Sequence, residues 1–236
     1  MANLQAAAGW PADFCGTVRL FPLPNLVLFP NVPQPLHIFE PRYCEMLLDA
    51  LAQDRLIAMA LLQPGWENQI QCGPPIASTV CIGKIVTHTP TSDGRHNILL
   101  VGIKRGRIIE ELELTRPFRR AKVEILEDHY PPDDEAERRE ISAALQSIFA
   151  KFVPEGLSTQ ASFKQLLGEQ MPLGILTDMI AYAINLPLAI KQQLLAESNV
   201  DIRCRLLLRC LKQRLESSHE SPDSVADGFP PRFSEN

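Results

Sequence analysis

Hydrophobic positions in the first part of the chain are spaced as in short strands followed by a helix. Six prolines from Phe21 to Pro41 predict extended pieces joined by rigid turns, because proline fixes φ and lacks an amide hydrogen. Among these prolines, brief strands are predicted over 26–29 and 36–39. Apolar residues at helical spacing then predict a short amphipathic helix that begins at Pro41 and faces a core; they are Tyr43, Met46, Leu47, Ala50 and Leu51.

The stretch from residue 55 to residue 127 has the periodicity of strands. Residues 56–62 are nearly all apolar, as a strand buried on both faces requires, and the shortness of the run favours a strand over a buried helix. The pair Asp93-Gly94 supplies the positive φ of a tight turn, which predicts a long hairpin over 79–102. Further strands are predicted over 107–114 and 121–126. These strands are enough to close a small barrel.

The pattern becomes helical after residues 129–134, where prolines and acidic residues predict a domain boundary and a helix start. Five short helices are predicted: one with its apolar face from Ile141 to Phe152, one over 162–170, one over 175–184, one beginning at Pro187, and a last one from Val200 to Leu215 with Asn199 as its N-cap. The chain is thus divided into an N-terminal tail (1–15), a β-rich lobe (16–129), an all-α lobe (130–216) and a polar tail (217–236) predicted to be disordered.

Composition and charge limit the classes of function. Apolar residues make up 45% and charged residues 22%, which is typical of a globular protein. The 23 basic and 28 acidic side chains give a net charge of −5, which argues against binding to a phosphate backbone. Six cysteines without a C-x-x-C pair indicate free thiols and no zinc knuckle. No apolar run is long enough to span a membrane and no export signal is present, so a cytoplasmic location is predicted.

Several ordered motifs resemble the N-terminal substrate-recognition domain of Lon proteases. They are Leu20-Phe21-Pro22-Leu23, Val27-Leu28-Phe29-Pro30, the segment from Leu36 to Tyr43, Gly83-Lys84-Ile85, Leu99 to Gly102 followed by Arg105-Gly106-Arg107, Arg120 to Glu124, Leu186-Pro187, Lys191 to Glu197, and Val200-Asp201. The resemblance covers roughly residues 16 to 216. It implies the α+β fold class, with a PUA-like β pseudo-barrel followed by an all-α helical bundle, which is also the order that the periodicity predicts.

The family resemblance also implies what this chain lacks. A complete Lon protease adds an ATPase module with a phosphate loop and then a Ser-Lys proteolytic domain. Here the pair Gly83-Lys84 lies in a strand pattern and has Ser78 where the phosphate loop needs its first glycine. The chain also ends where the ATPase of that family would begin. We therefore expect a non-enzymatic, free-standing recognition domain that needs no cofactor and no metal.

The resemblance implies a polypeptide ligand, and exposed apolar residues are the first candidates for its binding site. The candidates are Phe29, Pro30, Val32, Pro33, Pro35 and Trp66. For the proline-rich strip the alternative is packing between the two lobes. The expected partners are unfolded or hydrophobic polypeptide segments, a separate ATP-dependent protease, and a second copy of the chain in a weak homodimer. The expected role is that of an adaptor in protein quality control or regulation.

Two other functions stay open. An RNA-binding PUA-like module would use the cationic set Lys104, Arg105, Arg107, Arg116, Arg119, Arg120 and Lys122. The first 128 residues, however, hold 12 basic and 13 acidic side chains, so nucleic acid is an unfavoured partner. A receptor for a small ligand or a degradation signal is the other alternative. His37, His88 and His96 are interpreted as ordinary surface or half-buried histidines, because nothing in the sequence brings them together as metal ligands.

Overall fold

The computed structural model describes residues 9–67, 73–132, 135–152 and 171–219. The strands in these residues are β1 (Thr17–Leu23), β2 (Pro33–Ile38), β3 (Leu56–Leu61), β4 (Thr79–Pro90), β5 (His96–Glu111) and β6 (Arg120–Leu126). The helices are α1 (Pro41–Leu51), α2 (Glu135–Ala150), α3 (Leu173–Ala183), α4 (Leu188–Ala196) and α5 (Val200–His219). The predicted helix over 162–170 and the tail from residue 220 lie outside the described residues.

The chain forms two compact units. Among the described residues, the first contains the chain up to Glu127 together with Pro187–Ala196, and the second contains residues 128–186 and 197–219. The first unit is built on a six-stranded mixed sheet, and the helices that follow it in sequence make up most of the second unit. The predicted α+β class, a β near-barrel followed by helices, is confirmed.

The sheet of the first unit closes into a ring. Its strand order is β2-β5-β4-β3-β1-β6, and β6 pairs with β5 as well as with β1. The pair β1–β3 is parallel, whereas the other neighbours in the ring are antiparallel. Closure leaves β2 as the one strand outside the ring, held by the first half of β5. The apolar core inside this ring includes Leu20, Ala58, Ile82 and Ala121, none of which is exposed.

β5 is a single strand where the sequence pattern predicts two. Its residues 96–101 pair with β2, and its residues 105–111 pair with β6. The sequence pattern divides it because Lys104 and Arg105 interrupt the apolar positions. Arg105 is nevertheless buried, since its Nε donates a hydrogen bond to the carbonyl oxygen of Leu195 at 3.0 Å.

The predicted strand over 26–29 is wrong, because this segment is buried without pairing as a strand. It leads into Asn31, whose φ of 63° bends the chain toward β5. Gly102 then receives a hydrogen bond from the Asn31 amide at 2.8 Å and donates one to the Val32 carbonyl at 3.0 Å. A side chain at residue 102 would overlap the carbonyl oxygen of Phe29, so only glycine allows this close approach of two backbones.

Prolines occupy the outer side of β2. The Gly102 amide bonds to the Val32 carbonyl, so the backbone N–H and C=O groups of the even-numbered residues of β2 point toward β5. The backbone nitrogens of Pro33 and Pro35 therefore point away from β5. Among the described residues no strand pairs with that outer side. A proline has no amide hydrogen to offer a further strand, so this edge is blocked against strand addition.

A buried arginine joins α1 to the sheet. The guanidinium of Arg19 on β1 donates to Asp49 at 2.6 Å and to Asp54 at 2.7 Å, and it also reaches the carbonyl oxygens of Asp49 and Leu56 at 3.3 Å. The predicted helix after Pro41 is confirmed, and its buried residues are Tyr43, Met46, Leu47 and Ala50. The predicted strand over 56–62 is confirmed as β3.

The helix α4 belongs to the first unit, whereas the sequence pattern groups it with the other helices. Its Gln192 side chain donates to the Thr79 carbonyl of β4 at 2.8 Å, and its Leu195 carbonyl accepts from Arg105. In both contacts a side chain donates a hydrogen bond to a backbone carbonyl, and the two residues are far apart in sequence. Helical periodicity alone contains no information on such a partner.

The second unit is organised around Arg203 of α5, whose side chain is 0% exposed. Its two terminal nitrogens donate to the carboxylate of Asp128 at 2.9 and 2.7 Å, and its Nε lies 3.5 Å from Asp178 on α3. It also donates to the Glu197 carbonyl at 2.7 Å. The predicted N-cap of α5 is confirmed, because the Asn199 side-chain oxygen accepts hydrogen bonds from the amides of residues 201 and 202.

We predict that Gly102→Ala destabilises the first unit by about 3 kcal/mol, because the new methyl group forces the Phe29 backbone away from β5. The matched control is Gly106→Ala on the same strand, where the methyl group would meet the flexible end of Ile82 at 3.1 Å and should cost about 1 kcal/mol. Urea unfolding of both variants measures the difference. Equal losses for the two variants would contradict the close approach at Gly102.

We also predict that Arg203→Met costs about 3–5 kcal/mol of unfolding free energy, because it removes the guanidinium beside the buried carboxylate of Asp178. The control is Arg205→Met two residues away, which breaks an ion pair with Glu137 that is 44% exposed on both sides and should cost at most about 1 kcal/mol. Thermal and chemical unfolding test both. A small loss for the Arg203 variant would show that its ion pairs do not organise the unit.

Candidate functional site

A groove of about 930 Å³ opens in the first unit. Its walls come from the end of β1, the start of α1, the turn around Trp66, residues 73–74, and the segment between β5 and β6. Most of the lining residues are apolar, namely Pro22, Leu23, Pro24, Tyr43, Leu62, Trp66, Pro74, Leu112, Leu114, Pro117 and Phe118. The charged lining residues are Glu40, Arg42, Glu111, Glu113 and Arg119. This mixture is typical of ligand sites, which combine apolar walls with a few polar groups.

Aromatic packing positions the start of α1 in the groove wall. The rings of Phe21 and Tyr43 lie 4.5 Å apart between centroids, and the Arg42 guanidinium lies 4.6 Å from the Tyr43 ring. Burial raises the pKa of the Tyr43 phenol above its usual range, so this group is neutral at physiological pH. Tyr43 therefore contributes an uncharged, largely apolar surface.

The groove has a buried floor and an exposed rim. Phe118 is only 4% exposed, and Trp66 is half-buried because it packs against the core of the ring. Leu114, in contrast, is 71% exposed. An apolar side chain that stays in water beside apolar walls is a surface that a ligand can cover with a gain in free energy.

An arginine clasp holds three segments of the wall together. Arg119 donates through Nε and Nη2 to the two carboxylate oxygens of Glu111 at 2.8 and 2.6 Å. Its Nη1 donates to the carbonyl oxygen of Pro74 at 2.7 Å. The bidentate geometry fixes the end of β5 against the segment that leads into β6. A second arginine, Arg42, pairs with Glu40 at 2.8 Å.

Of the six candidate residues from the sequence, Trp66 lies in the groove and the other five do not line it. Phe29, Pro30 and Val32 are buried, and Pro33 and Pro35 are half-buried on β2. Sequence reasoning missed Tyr43, Leu112, Leu114 and Phe118. The available signal was the pair of isolated leucines, Leu112 and Leu114, among the otherwise polar residues 110–116; the strand prediction over 107–114 included them without assigning them a role.

Five of the cationic residues considered for RNA binding pair with carboxylates. Lys104 pairs with Glu127 at 2.6 Å, Arg107 with Glu124 at 3.5 Å, Lys122 with Glu110 at 2.9 Å, Arg116 with Asp49 at 2.5 Å, and Arg119 with Glu111. A carboxylate beside each of these five cations lowers the positive potential that a phosphate backbone would require.

Residues 17–213 match the family described as the ATP-dependent protease La (LON) substrate-binding domain. The chain belongs to this family. It is 28% identical over 210 residues to a Lon protease of Dictyoglomus thermophilum, covering 86% of this chain and 25% of that protein. It is 22% identical over 220 residues to a Lon protease of Anaeromyxobacter dehalogenans, covering 91% of this chain and 26% of that protein. The chain thus spans about a quarter of the length of the curated relatives that it matches.

Two solved structures have the same fold. The N-terminal domain of Mycobacterium avium complex Lon protease superposes with a TM-score of 0.64 at 17% identity, covering 83% of this chain and 98% of that one. A Lon N-terminal domain protein from Xanthomonas campestris gives a TM-score of 0.58 at 20% identity, covering 82% of this chain and 97% of that one. The substrate-binding domain is therefore the part of Lon to which residues 17–213 correspond.

None of the helices in the described part of this Lon substrate-binding domain is both long and apolar enough to cross a membrane.

Three of the five histidines of this Lon domain lie near the hairpin of β4 and β5. Nε2 of His88 and Nδ1 of His96 are 3.0 Å apart, which places one hydrogen bond between the two rings, and Nδ1 of His37 is 2.7 Å from the Asn97 side-chain oxygen. Within the described ranges, no three His, Cys, Asp or Glu side chains are grouped as metal ligands. Burial, followed by the charges of His96 and Arg55, lowers the pKa of His88 below 6.5.

We predict that the hairpin becomes less stable in acid because of His88. Its folded-state pKa is lower than that of the unfolded chain, so its contribution is complete above pH 6.5 and is lost as the pH falls through the folded-state pKa. Melting temperatures between about pH 8 and about pH 5 should fall less steeply for His88→Gln than for the parent protein. The control Thr89→Ser changes an exposed neighbour on β4 that has no ionisable side chain in this pH range, and it should keep the parent slope. Parallel slopes for parent and His88→Gln would refute the prediction.

Proposed function

We propose that this domain recognises polypeptide segments by burying their bulky apolar side chains in the groove. The observation that carries the proposal is the exposed Leu114 at the rim of a groove whose floor is the buried Phe118. Apolar burial is non-directional, so a groove of this kind accepts many sequences that share a composition. Membership in the Lon substrate-binding family supports a polypeptide as the ligand.

Binding through side chains, without addition of a strand, is the mode that suits this fold. A peptide that extends a sheet needs an edge with free amide and carbonyl groups. The ring of the first unit is closed through β6, and the outer edge of β2 carries Pro33 and Pro35. The affinity should therefore depend on which side chains the segment offers to the groove.

The proposed role is that of a non-catalytic adaptor in protein quality control or regulation, which presents bound segments to a separate ATP-dependent protease. Its support is that the curated relatives are Lon proteases about four times as long, and that the match to them is the substrate-binding domain. The ion-paired cations give no support to the alternative of RNA binding. We also propose that the chain by itself hydrolyses neither ATP nor peptides.

We predict that Leu114→Ser weakens the binding of a fluorescent apolar peptide by about 1–2 kcal/mol while leaving the melting temperature unchanged, because the side chain is exposed in the free protein. The matched control is Ile109→Ser, which removes a side chain that is 62% exposed and does not line the groove. Fluorescence polarisation measures the affinity. Trp66→Ala is a poorer test, since its ring also packs against the core.

Two results would contradict the proposed function. One is the absence of any binding of apolar peptides by the parent protein. The other is equal weakening by Leu114→Ser and Ile109→Ser, which would place the contact surface outside the groove.

A further inference from the structure

We infer that the groove prefers an apolar segment that also carries a lysine or an arginine. This inference rests on the proposed function and specifies its substrate class. It starts from the charges in the lining, which are the carboxylates of Glu40, Glu111 and Glu113 and the guanidinium groups of Arg42 and Arg119. The lining therefore has one more negative than positive group.

Both lining arginines are already engaged by lining carboxylates. Arg119 forms two hydrogen bonds with Glu111 and a third with the Pro74 carbonyl, and Arg42 pairs with Glu40. A carboxylate on a ligand would have to compete with these intramolecular partners. An acidic peptide therefore gains little from the arginines of the groove.

Glu113 is different from the other two carboxylates. Its side chain is exposed, and among the described residues it forms no ion pair within 4.0 Å. Two arginines that follow Glu113 in the chain have other partners, because Arg116 binds Asp49 and Arg120 donates to the Thr115 hydroxyl at 3.0 Å. Neither of these two arginines lines the groove.

The position of Glu113 links its charge to the apolar contact. It directly precedes Leu114, the exposed apolar side chain of the rim. A ligand that covers Leu114 with an apolar side chain brings its adjacent residues close to the Glu113 carboxylate. A lysine or arginine there has an attractive partner, whereas an aspartate or glutamate is repelled.

The test compares three short apolar peptides that differ at one central position, which is lysine, glutamine or glutamate. We expect the lysine peptide to bind the parent protein about two- to fivefold more tightly than the glutamine peptide at low salt, and the glutamate peptide to bind most weakly. The lysine advantage should shrink as salt is added, because the rim is exposed to solvent.

Glu113→Gln should remove the difference between the lysine and glutamine peptides while leaving the affinity for the glutamine peptide unchanged. The control Glu45→Gln changes an exposed carboxylate of α1 that does not line the groove, and it should preserve the lysine advantage. Melting temperatures of both variants should equal that of the parent protein, since both carboxylates are exposed.

The outcomes separate this inference from the proposed function. If the glutamine peptide binds in a manner that depends on Leu114 but lysine gives no advantage, the charge preference is wrong and the groove function stands. If the lysine advantage is retained in Glu113→Gln, the preference originates elsewhere and the assignment to Glu113 is overturned. If none of the three peptides binds, the proposed function fails and the inference fails with it.

Discussion

The fold of the first unit depends on β5, which is hydrogen-bonded to three other strands. The first half of β5 pairs with β2, and the second half pairs with β6. On its other side, β5 pairs with β4 along most of the length of β5. Only a strand of this length can both close the ring and hold the strand outside it. Gly102 lies where β5 passes from one outer partner to the other, and its missing side chain is what admits the Phe29 backbone. The buried segment before β2, and through it the chain that enters α1, follows from this one close approach.

Buried arginines connect helices to neighbouring segments within each unit. Arg19 binds α1 and the start of β3 to β1, Arg105 binds α4 to the sheet, and Arg203 joins α5 to α3 in the second unit. Each guanidinium has carbonyl or carboxylate oxygens within reach, which is the condition for keeping a charge out of water. Arginine suits these places because its fork of donors can engage two or three segments at once. In the groove, Arg119 applies the same geometry at a partly exposed position.

The closed ring and the proline edge together direct recognition toward side chains. A closed ring with prolines on its outer strand offers fewer places for pairing with unfolded chains, which is a useful property for a protein proposed to bind them. Most of the apolar walls of the groove come from segments outside the strands, so a ligand can bind there without disturbing the hydrogen bonds of the sheet. In the groove lining, Glu113 is the carboxylate through which the proposed charge selectivity would act. Composition and charge would then decide which segments are captured.

The sequence by itself determined much of this protein. Periodicity and local turn or cap residues predicted α1, β3, the hairpin turn at Gly94 and the Asn199 cap of α5, while the ordered motifs resembled the Lon substrate-binding family and implied the α+β class. These features depend on interactions between residues close in sequence, or they can be identified from short motifs that occur in a fixed order. Only the tertiary structure decided that Val27 to Phe29 is buried without forming a strand, that β5 is continuous through the buried Arg105, and that α4 packs on the sheet. It alone assembled Tyr43, Trp66 and Phe118 into one groove. The physical reason is that an apolar residue in the sequence indicates that its side chain is buried, but it does not indicate against which residues. Those partners are distant in sequence, and contact with them depends on how the whole chain folds.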